Sequence, residues 1–233
     1  MGVVYKARDT RLDRFVALKF LPPDLTRDFE ARERFVHEAK AASALQHPNI
    51  CTIHDIDETA DNQLFIVMDC YEGETLKQKI ERKLPTIEEA IDIATQVAHG
   101  LSKAHESGII HRDIKSSNIM VGKDGIARIV DFGLAKLAGQ TILTKTGSTL
   151  GTVAYMSPEQ AKGEKVDQRT DIWSLGVVMY EMVTGRLPFP GDFEQAIMYR
   201  ILNEEPEAIA NLRSNIPRAV SYTHLTLPTN REV

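Results

Sequence analysis

The chain has 233 residues, 42% hydrophobic and 26% charged, which is enough to bury a full core in one large or two small lobes. A formal net charge of −5 gives no basic footprint for nucleic acid, and two cysteines, Cys51 and Cys70, cannot make a disulfide framework. The most apolar window, residues 172–183, is too short to span a bilayer and carries Glu181, and no signal peptide opens the chain.

In chain order, Phe15 to Leu21 reads as a buried strand with one lysine, Lys19, inside it. A lysine in such a run is costly unless paired. Asp28 to Leu45 is expected to be a helix, because Phe35, Val36, Ala39, Ala42 and Leu45 recur at helical spacing and His47-Pro48-Asn49 stops it. Glu38 sits beside that stripe. Cys51 to Asp57 and Gln63 to Cys70 read as strands with a turn at Asp61-Asn62. From Thr75 the pattern turns helical, and Thr86-Ile87-Glu88-Glu89 is a capping box opening a helix that Gly108 ends. His99 and His105 read as helix-surface and packing residues.

Ile119 to Val121 and Ile126 to Val130 are apolar runs around Gly122-Lys123-Asp124-Gly125, a hairpin signal. Residues 134–156 form a long connection with clustered hydroxyls. Thr170 to Gly185 is an apolar helix with Thr170 or Asp171 as an ordinary N-cap, and Phe193 to Leu202 is a last amphipathic helix.

The hairpin is flanked by His111-Arg112-Asp113-Ile114-Lys115-Ser116-Ser117-Asn118 on one side and Asp131-Phe132-Gly133 on the other. It would hold two loops side by side, so that Asp113, Asn118 and Asp131 converge. Such oxygen ligands suit Mg²⁺, and Asp113, free of the metal, could take a proton from an attacking hydroxyl. H-R-D-x-K-x-x-N followed by D-F-G in this spacing resembles the protein kinase family. The resemblance covers roughly residues 1–220. It implies an α+β, two-lobed fold, with a small β-rich N-lobe over residues 1–70 and a larger, mostly helical C-lobe over 71–220.

The same resemblance implies roles. Gly2 matches the third glycine of a glycine-rich loop, Val4 and Ala17 roof the adenine, and Lys19 holds the α- and β-phosphates with Glu38 as its ion-pair partner. Met68 is the gatekeeper, the backbone of Asp69 to Tyr71 bonds the adenine edge, and Met120 floors it. Asp113 is the catalytic base, Lys115 stabilises the transferring phosphoryl group, and Asn118 and Asp131 hold Mg²⁺. Arg112 pairs with an activation-loop phosphate, for which Thr144 and Thr146 are the expected autophosphorylation sites. Thr152 bonds Asp113 and Lys115, and Asp171 braces the catalytic loop. Lysine two residues after the aspartate resembles the serine/threonine branch, and several phrases resemble bacterial members.

The cofactors implied are ATP and Mg²⁺, and the partners are proteins bearing Ser or Thr, with dimerisation for trans-autophosphorylation. Nucleic acid and membrane are not expected partners of this segment, and a cytoplasmic location is expected, although a longer parent could be membrane-anchored. Met1 reads as an internal methionine of a longer chain. Past Ala219 the resemblance stops, and Ser221 to Val233 reads as a tail foreign to the fold, like translated adapter or read-through sequence. Without the family's last helices, Glu159 is expected to lack its arginine. Two alternatives stand beside the enzyme: a pseudokinase acting as a nucleotide-binding or docking module, disfavoured by the presence of Lys19, Asp113, Asn118 and Asp131, and an inactive fragment of a kinase gene.

Overall fold

The computed structural model describes residues 3–21, 29–131 and 150–213. Gly2, Phe132, Gly133, Thr144, Thr146 and the 221–233 tail lie outside the described residues.

Residues 3–69 build an antiparallel sheet. β1 (Val4–Asp9) and β2 (Arg14–Phe20) form a hairpin, with Asp13 at φ 51° in its turn. β2 pairs with β4 (Leu64–Asp69), which pairs in turn with β3 (Ile53–Glu58), giving the order β1-β2-β4-β3. The run expected to be buried throughout in β2 is buried only at Val16 and Ala17. Phe15 is 60% exposed and lies under the Lys6 ammonium, 4.4 Å from its ring centroid, because alternate residues of an outer-face strand meet solvent. Helix α1 (Phe29–Ser43) ends two residues before the Leu45 that its apolar spacing suggested. It lays Phe35 and Ala39 against Leu21, Leu64 and Ile66, the small core of this lobe.

The chain then crosses to a three-stranded sheet and helices. β5 (Gly73–Thr75) pairs with β6 (Ile119–Gly122), which pairs with β7 (Ala127–Ile129). The β6–β7 turn has Gly125 at φ 77°, a conformation that favours glycine. α2 (Leu76–Arg82) starts at a Thr75–Gln78 capping box, which the sequence reading did not single out. α3 (Ile87–Glu106) starts where expected. Glu89 N–H donates to Thr86 Oγ1 at 3.2 Å, and Thr86 N–H donates to Glu89 Oε2 at 2.8 Å.

The remaining helices are α4 (Leu150–Val153), α5 (Pro158–Lys162), α6 (Arg169–Thr184), α7 (Glu194–Asn203) and α8 (Ile209–Leu212). α3 packs along α6, and the large core runs through Val97, Leu101, Ile114, Ile129, Val178 and Met182. The two separate apolar clusters make this an α+β fold of a small sheet-based lobe and a larger helical one. Among the described residues no helix is long and apolar enough to cross a membrane.

Candidate active site

The loop before β6 is held from below by one carboxylate. Asp171, near the start of α6 and fully buried, accepts the backbone N–H of His111 at 2.8 Å and of Arg112 at 2.7 Å. Its Oδ2 also lies 2.8 Å from His105 Nε2 on α3. Gln160 holds the other side of the same peptide region, donating from Nε2 to the Arg112 carbonyl at 2.9 Å. These bonds fix Arg112 at φ 65°, a left-handed conformation that a non-glycine residue adopts only when its surroundings impose it. Asp171 is therefore not an N-cap. The helix begins from Gln168, without a side-chain cap, because the Asp171 carboxylate is spent on donors distant in sequence. His105, expected to be a surface or packing residue, is part of this brace.

His111 links the loop to the hairpin. The Asp113 N–H, which can only donate, lies 3.2 Å from His111 Nδ1, so Nδ1 accepts. Nε2 then carries the proton and donates to the Val130 carbonyl at 3.2 Å. Burial pushes the imidazole pKa down and outweighs the nearby carboxylates, so this neutral tautomer persists. Val130 N–H donates back to the Asn118 carbonyl at 2.9 Å. Asp131, the next residue, is thereby set beside the 3₁₀ turn Ser116–Asn118, at φ 62°.

On this frame the polar ends converge. The Asp113 carboxylate accepts from Asn118 Nδ2 at 3.1 Å and lies 2.9 Å from Lys115 Nζ. Lys115 also donates to Thr152 Oγ1 on α4 at 3.2 Å. Across the cleft, Lys19 Nζ on β2 lies 2.7 Å from Asp131 Oδ1, so an ion pair links the sheet lobe to the end of the hairpin. The expected partner of Lys19 was Glu38. In this structure the carboxylate on Lys19 is that of Asp131, which is nearer to hand once the hairpin turns it toward β2, and Glu38 lies on α1, partly buried.

The residues expected around a nucleotide base are placed on three elements. Val4 stands opposite Lys19 in the β1–β2 register, and Ala17 stands opposite Met68 in the β2–β4 register. Ala17 is buried, whereas Val4 is half exposed. Met120 lies on β6 opposite Thr75 and Arg128. Asp69 ends β4 opposite Val16, and its N–H donates to the Thr52 carbonyl at 3.1 Å.

The donor set fits a hard divalent cation. Asn118 commits its amide nitrogen to Asp113, which turns the amide oxygen Oδ1 away from that carboxylate, and Asp131 adds a carboxylate. Glu159, expected to lack a partner, accepts from Thr170 Oγ1 at 2.5 Å, and Thr170 lies 3.1 Å from Ser157 Oγ. A hydroxyl on α6 thus gives this carboxylate a partner.

Comparison with known proteins agrees with this arrangement. The protein kinase domain model matches residues 1–228. A probable serine/threonine-protein kinase of Clostridium perfringens is 44% identical over 223 residues, covering 95% of this chain and 32% of its own length. Serine/threonine-protein kinase PrkC of Bacillus subtilis is 41% identical over 221 residues, covering 94% of this chain and 34% of its own. The chain thus spans about a third of the length of the curated relatives it matches. Among solved structures, the kinase domain of Mycobacterium tuberculosis PknI superimposes with a TM-score of 0.76 at 27% identity, covering 97% of this chain and 82% of that one. A loop braced from α6, a hairpin that delivers Asp131 to Lys19, and a family match over nearly every residue point the same way: this chain belongs to the protein kinase family.

Proposed function

We propose that this chain is the catalytic domain of a serine/threonine protein kinase, transferring the γ-phosphoryl group of ATP to a Ser or Thr hydroxyl of a protein. The observation that carries the reading is the Asp113 carboxylate held between Lys115 Nζ and Asn118 Nδ2, with Lys115 shared by Thr152.

In this mechanism Asp113 orients the acceptor hydroxyl and takes its proton as the oxygen–phosphorus bond forms and the bond to the β-phosphate oxygen breaks. Lys115, 2.9 Å from Asp113, offsets the charge that develops on the transferring group. Lys19 holds the α- and β-phosphates. Asn118 and Asp131 would hold Mg²⁺, which supplies charge neutralisation to the phosphates. Val4, Ala17, Met68 and Met120 contact the adenine, and the backbone of residues 69–71 bonds its edge. The full parent's substrates, dimerisation and activation through Thr144 and Thr146 belong to the same proposal.

The test is phosphate transfer from labelled ATP to three peptides identical except for Ser, Thr or Tyr at the acceptor. Transfer to Ser and Thr, falling by about 10²–10⁴-fold in Asp113→Asn, is expected. Equal transfer by wild type and Asp113→Asn, or transfer to Tyr alone, would refute it.

A further inference from the structure

The connection after β4 carries a side-chain clamp that the proposed chemistry does not use. Asp69 offers two carboxylate oxygens, and each has its own partner. Oδ1 lies 2.7 Å from His54 Nε2 on β3, and Oδ2 accepts from the Tyr71 hydroxyl at 2.9 Å. Burial alone would push the Asp69 carboxyl up, but the His54 and Tyr71 bonds outweigh it and hold the group below its ordinary value, so it is ionised near neutrality. Bonds to an ionised acceptor are the stronger kind.

The clamp extends into the other lobe. The Arg128 guanidinium lies over the Tyr71 ring, 4.4 Å from its centroid, and is itself held by Asp124 at 2.8 Å. Arg128 is on β7, in the hairpin that leads to Asp131. One contact chain therefore runs from β3 through residues 69–71 to the hairpin beneath the cleft. Side chains of residues 69 and 71 sit on the same clamp, so the backbone between them has its orientation fixed at both ends.

We propose that His54 is a positioning residue for the nucleotide: with Asp69 and Tyr71 it pre-sets the 69–71 backbone that receives the adenine edge. The inference rests on the kinase reading. A free loop must be ordered when it binds a base, and a loop already ordered by side-chain bonds escapes that cost. The effect is confined to the adenine end, because the variants remove only bonds made to Asp69, while Lys19 and Asp131 keep their own ion pair and the ring of residue 71 stays under Arg128.

The 233-residue protein is titrated with adenosine, with MgATP and with Mg-tripolyphosphate. His54→Phe removes one bond, Tyr71→Phe removes the other while keeping the ring under Arg128, and His54→Gln restores a donor. Each Phe variant is expected to weaken adenosine and MgATP by about 3–10-fold, the scale of one lost hydrogen bond. Tripolyphosphate binding is expected to stay within about twofold. His54→Gln recovers most of the adenosine affinity, and in turnover the KM for ATP rises while kcat holds. If His54→Phe does not fold, Tyr71→Phe carries the test alone. Unchanged adenosine affinity in the Phe variants overturns the inference, as does an equal loss of tripolyphosphate affinity. A wild-type protein that binds neither adenosine nor tripolyphosphate overturns the kinase reading itself, a different outcome from a normal wild type with silent variants.

Discussion

Replacing Asp171 by Asn keeps the shape of the side chain and removes its charge, and the structure sets the size of the effect. Oδ1 accepts from Arg112 N–H at 2.7 Å, whereas Oδ2 serves His111 N–H at 2.8 Å and His105 Nε2 at 2.8 Å. An asparagine retains one acceptor. Its better orientation keeps the oxygen toward His111 and His105 and turns its NH₂ onto the Arg112 N–H, so one buried donor is orphaned. An orphaned donor costs about 1–3 kcal/mol, and the two surviving bonds weaken by about 1 kcal/mol each as the acceptor becomes neutral. The sum is about 3–5 kcal/mol, a large part of the roughly 5–15 kcal/mol that holds a domain together.

Left-handed Arg112 then loses half of what imposes its conformation and retains the Gln160 bond on its carbonyl. Urea unfolding of Asp171→Asn should show this loss, with a melting point lower by about 6–20 °C. Glu164→Gln, an exposed change, should stay within about 0.5 kcal/mol. A loss below about 1 kcal/mol in Asp171→Asn would mean that the loop is held by packing and that the carboxylate is incidental.

Three further outcomes follow from the geometry. Glu181 on α6 is pushed above its ordinary carboxyl pKa, chiefly by burial, while the Tyr155 hydroxyl donates to it at 2.6 Å. The folded protein thus holds that proton more tightly than the unfolded chain, so the group's contribution is best below its ordinary value of 4.5 and is lost as pH rises through the raised folded value. Urea melts at stepped pH should show Glu181→Gln gaining on wild type as pH increases, and a constant gap would contradict the linkage. Gly73→Ala places a Cβ 2.2 Å from the Val121 carbonyl oxygen and 2.9 Å from Gly122 Cα, both backbone, so β5 must move from β6 at a cost of about 1–3 kcal/mol, read by thermal unfolding. Thr86→Ala removes one half of the α3 capping box and should cost about 1 kcal/mol in the same assay, with Thr86→Ser close to wild type.

What was legible in the sequence was local. The α3 capping box spans four residues and forms where Thr86 and Glu89 announce it. The β6–β7 hairpin forms around Gly125 because the turn needs a positive φ that the residue supplies. β5 was not legible, since three residues carry no alternation, and Gly73–Thr75 becomes a strand only by pairing with the hairpin edge. The outer face of β2 was misread for a related reason: a continuous apolar run does not say which residues face solvent, and Phe15 does.

The site itself divides along the same line. The spacing of Asp113, Lys115 and Asn118 is short enough for one loop to enforce, and their side chains do meet. The brace beneath them depends on competition between distant groups, which no window reveals. Asp171 is a plausible cap for its own helix, but the His111 and Arg112 N–H groups, 60 and 59 residues away in sequence, take its oxygens. His105, 66 residues away, lies on the packing face of α3, but its spacing does not say that its ring meets a carboxylate on α6. The contact that Lys19 makes here was not legible for the same cause. The sequence reading named Glu38 for Lys19 and gave Asp131 to a metal, and only the tertiary fold shows Asp131 reaching Lys19 on β2. Both side chains keep about a quarter of their surface exposed, so the pair is a partly solvated one that the backbone geometry brings together. The hairpin, fixed by the His111–Val130 and Val130–Asn118 bonds, delivers Asp131.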